Sequence, residues 1–509
     1  MLDITGHDLT LEQIENVSRK KEIVNLSRQA LNPITRSREW VDEIVNSDKP
    51  VYGINTGFGI FSDRRINKQD ARKLARNLII SHAVGTGEPL PEDVVRAAIT
   101  IRANTLAKGF SGARVELIER LLELNNKGVY PLIPEKGSMG SSGDLAPLCH
   151  LGLILTRDEE DDEALSGEAF YKGQKMSGKA AMKAAGLERL ILQPKEGLAL
   201  SNGATFSAAI AALCVVDLEY YLKLADLAAA MTLEAVKGCS SAFDERLHQA
   251  RGHIGQIISA ARIRSAIRES SLVDSVGRIQ DAYSIRCAPQ VHGSGIDALA
   301  YVRKIVEIEV NAATDNPLLF ESNGAISGGN FHGEPIAQAM DTLKIAAAET
   351  GAISERRIFR LLDGNLNGGL PSMLVDSQVD AGLNSGLMML QYTAASLVLE
   401  NQALCAPDSV FSMPTSANQE DHNANSMNAA RHARTVLDNL KHILATELFS
   451  AARALTQRIR ENPKTKLGEV TGYNYTLIRQ RIPYTAGDTY WEPSLVTIKE
   501  MIDRKELAG

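Results

Sequence analysis

Between Ala204 and Val236 the chain carries apolar residues on most faces of what its spacing marks as a helix. Such a helix is stable only when it is buried on most sides, so the chain must build a core thick enough to surround it. Further runs agree. From Leu437 the apolar positions Leu440, Leu444, Leu448, Ala451, Leu455 and Ile459 recur at steps of three and four, and Asn462-Pro463 closes the run. Ile296, Leu299, Val302, Val306 and Val310 form a second stripe ended by Asp315-Asn316-Pro317, and Ala339 to Leu362 form a third. Several long helices of this kind imply a bundle core, one that other subunits could complete. Aromatic residues make up only 5% of the chain, so the core must lean on Ala, Leu, Ile and Val. That composition favours close-packed helices over a β-sandwich. The expected fold class is mostly α, with a long central helical bundle.

The N-terminal part reads differently. It has more Gly and shorter apolar pieces, such as Val51-Tyr52-Gly53 and Val129-Tyr130-Pro131-Leu132-Ile133-Pro134. A smaller mixed N-terminal part, 1–200, and a long-helix domain, 201–509, are expected. The formal charge of -7 gives no electrostatic reason to hold nucleic acid or anionic lipid. Cys149, Cys214, Cys239, Cys287 and Cys405 are dispersed with no CxxC pair, and read as reduced thiols packed as small core residues. The longest apolar stretch, Ala208 to Val216, ends at Asp217 and is too short to span a bilayer. The opening MLDITGHDLT is polar and unlike a signal peptide. A soluble, cytoplasmic protein with neither a membrane nor a nucleic-acid partner is expected.

The most unusual segment is Gly137-Ser138-Met139-Gly140-Ser141-Ser142-Gly143-Asp144-Leu145-Ala146-Pro147. Its bland reading is a loop feeding a helix, with Asp144 as N-cap and Pro147 in the first turn. A nucleophile elbow would need G-x-S-x-G, and a phosphate loop would need a Gly-Lys-Ser/Thr ending; neither is present. No H-E-x-x-H or clustered Cys/His pattern supports zinc, and no metal is expected. A third chemistry does fit. In a tight enough bend a backbone amide nitrogen can attack the carbonyl two residues back, and Gly, lacking Cβ, obstructs that bend least. In Ser141-Ser142-Gly143, loss of one water would close a five-membered ring. Loss of the Ser142 hydroxyl as a second water would leave an exocyclic methylene. The product is a methylidene-imidazolone, an electrophile of a kind no standard side chain offers.

With GSMGSSGDLAPLCHL, the chain resembles the histidine and aromatic amino acid ammonia-lyase family. The likeness runs through VYGINTGFG at Val51 to Gly59, SHAVGTGEPL from Ser81, EGLALSNG around Asn202 and QDAYSIRCAPQ from Gln280 to Gln290. It continues through ATDNP at Ala313 to Pro317, GGNFHGEP from Gly328, SERR from Ser354 and PTSANQEDH from Pro414 to His422. The resemblance implies an ammonia-lyase and fumarase type of fold. It also implies a methylidene-imidazolone made from Ser141, Ser142 and Gly143, and a homotetramer whose active sites draw on more than one subunit. Two departures stand out. Ser141 takes a position that is usually Ala, and Asn423-Ala424-Asn425-Ser426-Met427 differs from the pattern after the histidine-type motif.

By motif match, Tyr283 would be the base for the substrate's β-proton, a role a tyrosine fills only where neighbours favour its phenolate. Arg286 would grip the substrate carboxylate as a fork. Tyr52 would be a second active-site phenol, and Asn202 and Gln280 would hydrogen-bond the ring carbonyl and nearby polar groups. Phe331 would wall the site, and Asp144 would support the tight turn. His82 and Glu420 resemble the histidine-specific members, because a carboxylate opposite an imidazole makes a bond that a phenyl ring cannot return. The implied reaction is the deamination of L-histidine to urocanate and ammonia. His82 is also compatible with a tyrosine pocket, so a tyrosine or other aromatic ammonia-lyase or aminomutase remains open. A non-catalytic helical scaffold is the alternative from another class.

Overall fold

The computed structural model describes residues 1–47, 50–67, 70–321, 324–376, 379 and 381–507. The long helices lie where the periodicity puts them: Thr205–Ala235, Ala288–Glu309, Glu334–Leu362 and Ser426–Glu461. The first is buried almost throughout, as a helix apolar on most faces requires.

The chain divides into two compact units. One comprises Met1–Val216, Arg303–Asp341 and Pro407–Arg431; the other comprises Asp217–Val302, Thr342–Ala406 and His432–Gly509. The division differs from a single cut near residue 200. The first crossing falls at Val216/Asp217, and the chain returns twice, because four long helices each contribute residues to both units.

All described strands lie in the first unit. Val129–Pro131, Glu168–Tyr171 and Gln174–Ser177 form a three-stranded antiparallel sheet with Tyr130 opposite Phe170. Lys172 and Gly173, both at positive φ, make the two-residue turn of its hairpin. The helix Glu92–Ala107 is buried from Val94 onward, including two arginines. Arg96 donates to the carbonyls of Val17 (2.9 Å) and Asn125 (3.0 Å), and Arg102 to that of Ala199 (3.1 Å). Buried guanidinium groups persist only with such acceptors.

In the second unit the stripe Leu440, Leu444, Leu448, Ala451 and Leu455 is wholly buried. Each leucine contributes roughly 2 kcal/mol by leaving water. The same helix buries Glu447, which accepts from Thr232 Oγ1 at 2.8 Å, Ser354 Oγ at 2.6 Å and Arg357 at 2.6 and 2.9 Å. The SERR segment therefore joins helices within the bundle. No helix among the described residues is long and apolar enough to cross a membrane.

Candidate active site

The tripeptide Ser141-Ser142-Gly143 ends in a glycine packed against a second one, Gly203, and neither position has room for a side chain. Gly143 has φ +78°, and a Cβ there would run into the backbone of Gly203. Gly203, at φ +120°, is itself pressed against Thr314 and Arg102. The two segments are laced together. Asp144 N–H donates to Gly203 O (2.9 Å), Gly203 N–H to Ser142 O (3.2 Å), and Asn202 Nδ2 to the same Ser142 carbonyl (2.7 Å). Asn202 ends the short helix Glu196–Ser201 as its C-cap. That helix is braced from below: Arg102 holds Ala199 O and Thr205 Oγ1, and the fully buried Lys195 pairs with the fully buried Asp315.

Asp144 stands at the start of the helix Leu145–Leu155, but its side chain does not cap that helix. The expected N-cap role is corrected by the packing. Its carboxylate instead accepts from Ser207 N–H (2.7 Å), Ser207 Oγ (2.9 and 3.0 Å) and Ser138 Oγ (2.7 Å), with no exposure. Ser207 is in the first turn of Thr205–Ala235, where the unpaired amides of a long helix attract an acceptor. Burial pushes the Asp144 carboxyl up, against the pull of these bonds.

A cavity of about 1010 Å³ opens onto this loop, lined by Tyr52, His82, Ser142, Asn202, Phe331 and Glu420 among others. Tyr52 Oη accepts from Gly59 N–H at 3.4 Å, and its ring meets Phe58 edge-on at 6.4 Å. Burial, and secondarily the Glu420 charge, raise its phenol above the usual range. His82 ends the helix Ala71–His82, with Nδ1 2.9 Å from Ser81 Oγ. Burial lowers its imidazole, while Glu420 partly lifts it. Glu420 is presented by a hairpin in which Thr415 N–H donates to Glu420 O (2.8 Å) and Glu420 N–H returns to Thr415 O (3.3 Å). Ser416, Ala417 and Asn418 between them are all left-handed, at φ +50°, +51° and +66°. Three such residues in a row are costly, and such strain tends to persist at functional sites.

Three residues with expected substrate-facing roles do not line this cavity. Gln280, Tyr283 and Arg286 belong to the second unit. Gln280 is exposed, and Tyr283 is 71% exposed. The Arg286 guanidinium lies 4.7 Å from the Tyr283 ring centre, and its Nε is buried with no hydrogen-bond partner. Residues the sequence reading passed over include Ser138 and Ser207, which hold Asp144, and Asn316, which lines the cavity. Ser207 is 63 residues from Asp144, and nothing in local pattern links them.

A mostly helical chain whose Ser-Ser-Gly tripeptide faces a cavity of phenol, imidazole, amide and carboxylate groups has the build of a carbon–nitrogen lyase of the ammonia-lyase fold. The solved structure of histidine ammonia-lyase from Trypanosoma cruzi matches with a TM-score of 0.90 at 36% identity, covering 99% of this chain and 94% of that one. Tyrosine aminomutase from Streptomyces globisporus matches with a TM-score of 0.92 at 34% identity, covering 99% and 97%. In sequence, the histidine ammonia-lyase of Caldanaerobacter subterraneus subsp. tengcongensis is 50% identical over 482 residues, 94% of this chain and 92% of that protein. The family model of aromatic amino acid lyases matches residues 9–480. The chain belongs to the aromatic amino acid lyase family.

Proposed function

We propose that this enzyme removes ammonia from L-histidine to give urocanate, a step of histidine breakdown, using a methylidene-imidazolone formed from its own Ser141-Ser142-Gly143. The observation that carries the reading is the presence of Glu420 and His82 in the same cavity as Ser142 and Asn202. A carboxylate in the cavity suits an imidazole N–H and is left unpaired by a phenyl ring that covers it, which penalises phenylalanine.

The tripeptide suits the ring closure. Gly143 N would attack the Ser141 carbonyl carbon, whose oxygen leaves as water, and Ser142 would lose its hydroxyl and α-hydrogen as a second. Asn202 Nδ2 already holds the Ser142 carbonyl, which survives as the ring carbonyl, and Asn202 Oδ1 is a buried acceptor still without a donor. The group supplies an electrophile, with no metal required. The side chains do the rest. Glu420 and His82 orient the substrate's imidazole, Phe331 walls the site, and Tyr52 positions or protonates. Tyr283 takes the β-proton, Arg286 binds the carboxylate, and Gln280 hydrogen-bonds polar groups nearby. The exposure of Tyr283 and the unpartnered Arg286 Nε fit a homotetramer in which these three residues complete a site shared between subunits. Five free, dispersed cysteines fit a reducing, cytoplasmic setting.

The test is a spectrophotometric assay with L-histidine, L-tyrosine and L-phenylalanine, with Ser142→Ala beside it and intact masses measured for both. Urocanate from histidine alone, a mass deficit of two waters, and loss of both in Ser142→Ala are expected. Turnover of tyrosine alone would replace this reading with the tyrosine one. No turnover and no water loss would leave a non-catalytic scaffold.

A further inference from the structure

Ser141, in the tripeptide, and Asn423 are 282 residues apart in sequence and meet in the structure. The Ser141 hydroxyl donates to Asn423 Oδ1. Both residues are buried, at 8% and 0% exposure. Asn423 makes two further bonds: Nδ2 donates to the Met413 carbonyl, and its backbone N–H to Ser412 Oγ at 2.8 Å. Asn425, at φ +56°, adds bonds from Nδ2 to the carbonyls of Phe411 and Asp408 (3.3 Å). The segments tied together in this way, 408–413 and 423–425, flank the Thr415–Glu420 hairpin that presents Glu420. Asn423 thus pins the two flanks of the Glu420 hairpin together and meets the tripeptide at Ser141.

We propose that Ser141 is a positioning residue that couples the cyclising tripeptide to the Glu420 hairpin and so helps select the substrate. The proposal rests on the reading that Glu420 meets the substrate's ring. The cyclisation consumes the Ser141 carbonyl oxygen and the Ser142 hydroxyl. The Ser141 hydroxyl takes no part and stays available to Asn423. An alanine at 141 would leave Asn423 Oδ1 as a buried acceptor with no donor, and the hairpin would shift to satisfy it.

The experiment is a double-mutant cycle of Ser141→Ala and Asn423→Ala, with Ser141→Thr as rescue. KM and kcat are measured on histidine and tyrosine, with intact mass and melting temperature alongside. All variants should keep the two-water deficit. Ser141→Ala should raise KM for histidine about tenfold, the scale of one buried hydrogen bond, with kcat little changed. The histidine-to-tyrosine ratio of kcat/KM should fall by a similar factor. Asn423→Ala should do the same, the double variant should do no worse than either single one, and Ser141→Thr should restore KM. Additive effects would overturn the proposal. So would loss of the water deficit in Ser141→Ala, which would assign Ser141 to ring formation, or a lowered melting temperature with KM and the ratio untouched. Should the wild type turn over tyrosine instead of histidine, the histidine reading fails separately. The cycle is then read on tyrosine, where non-additive KM supports the coupling and additive KM refutes it. Should Asn423→Ala not fold, the contrast between Ser141→Ala and Ser141→Thr decides alone.

Discussion

Replacing Asp144 by Asn tests whether the buried carboxylate holds the tripeptide in its bend. Three donors converge on it: Ser207 N–H, Ser207 Oγ and Ser138 Oγ, at 2.7 to 3.0 Å. An Asn side chain has one acceptor oxygen with two lone pairs, so at least one buried donor loses its partner. Its NH2 group also faces a backbone N–H that cannot accept. An orphaned buried donor costs about 1–3 kcal/mol. Loss of a carboxylate from the first turn of Thr205–Ala235 adds about 0.3–2 kcal/mol. The sum, about 1–5 kcal/mol, should appear as a lower urea midpoint with an unchanged slope. Ser207→Ala removes only the hydroxyl donor and should cost about 1 kcal/mol. Because Asp144 adjoins Gly143 and its own N–H bonds Gly203 O, the Asn variant should also lack the two-water mass deficit in most molecules. An unchanged midpoint together with complete water loss would refute the argument that these bonds shape the loop.

Removing the Glu420 charge with Glu420→Gln should lower the His82 imidazole further and bring the Tyr52 phenol down, because the carboxylate raises both. NMR titration of His82 should show protonation moved to lower pH; an unmoved titration would mean the two do not interact. The same variant should lose about 10–100-fold in kcat/KM for histidine, one charge-assisted bond of about 1.5–3 kcal/mol, while losing less for tyrosine. Lys195→Met leaves Asp315 buried and unpaired and should destabilise the fold by about 3–5 kcal/mol in a denaturation midpoint; a shift within error would refute the pair's role. Tyr283→Phe and Ser142→Ala should each abolish turnover, yet regain part of it when the two are unfolded, mixed and reassembled. No recovery would place the whole site within one subunit.

Much of the fold could be read from local pattern. The helices from Thr205 and Ser426 have apolar residues at helical spacing, and a stretch of 30 or so residues with that period has one economical conformation. The tight bend at the tripeptide was also legible, since Gly143 marks it and sits at φ +78°. Tyr52, His82, Asn202, Phe331 and Glu420 were named through their motifs, and all line one cavity with Ser142. The N-cap reading of Asp144 fails because a cap is a local interaction, whereas its actual partners include a helix start 63 residues away.

The sequence by itself determined the long helices, the bend that only glycine permits and the residue types able to do the chemistry, because each depends on neighbours a few positions away. Long-range packing alone places Lys195 and Arg102 as braces of the Asn202 segment, pins the flanks of the Glu420 hairpin through the Asn423 and Asn425 side chains, and brings Ser141 to Asn423. Those outcomes depend on which buried polar groups find partners across hundreds of residues. That matching is settled by packing the whole chain, not by any stretch of it.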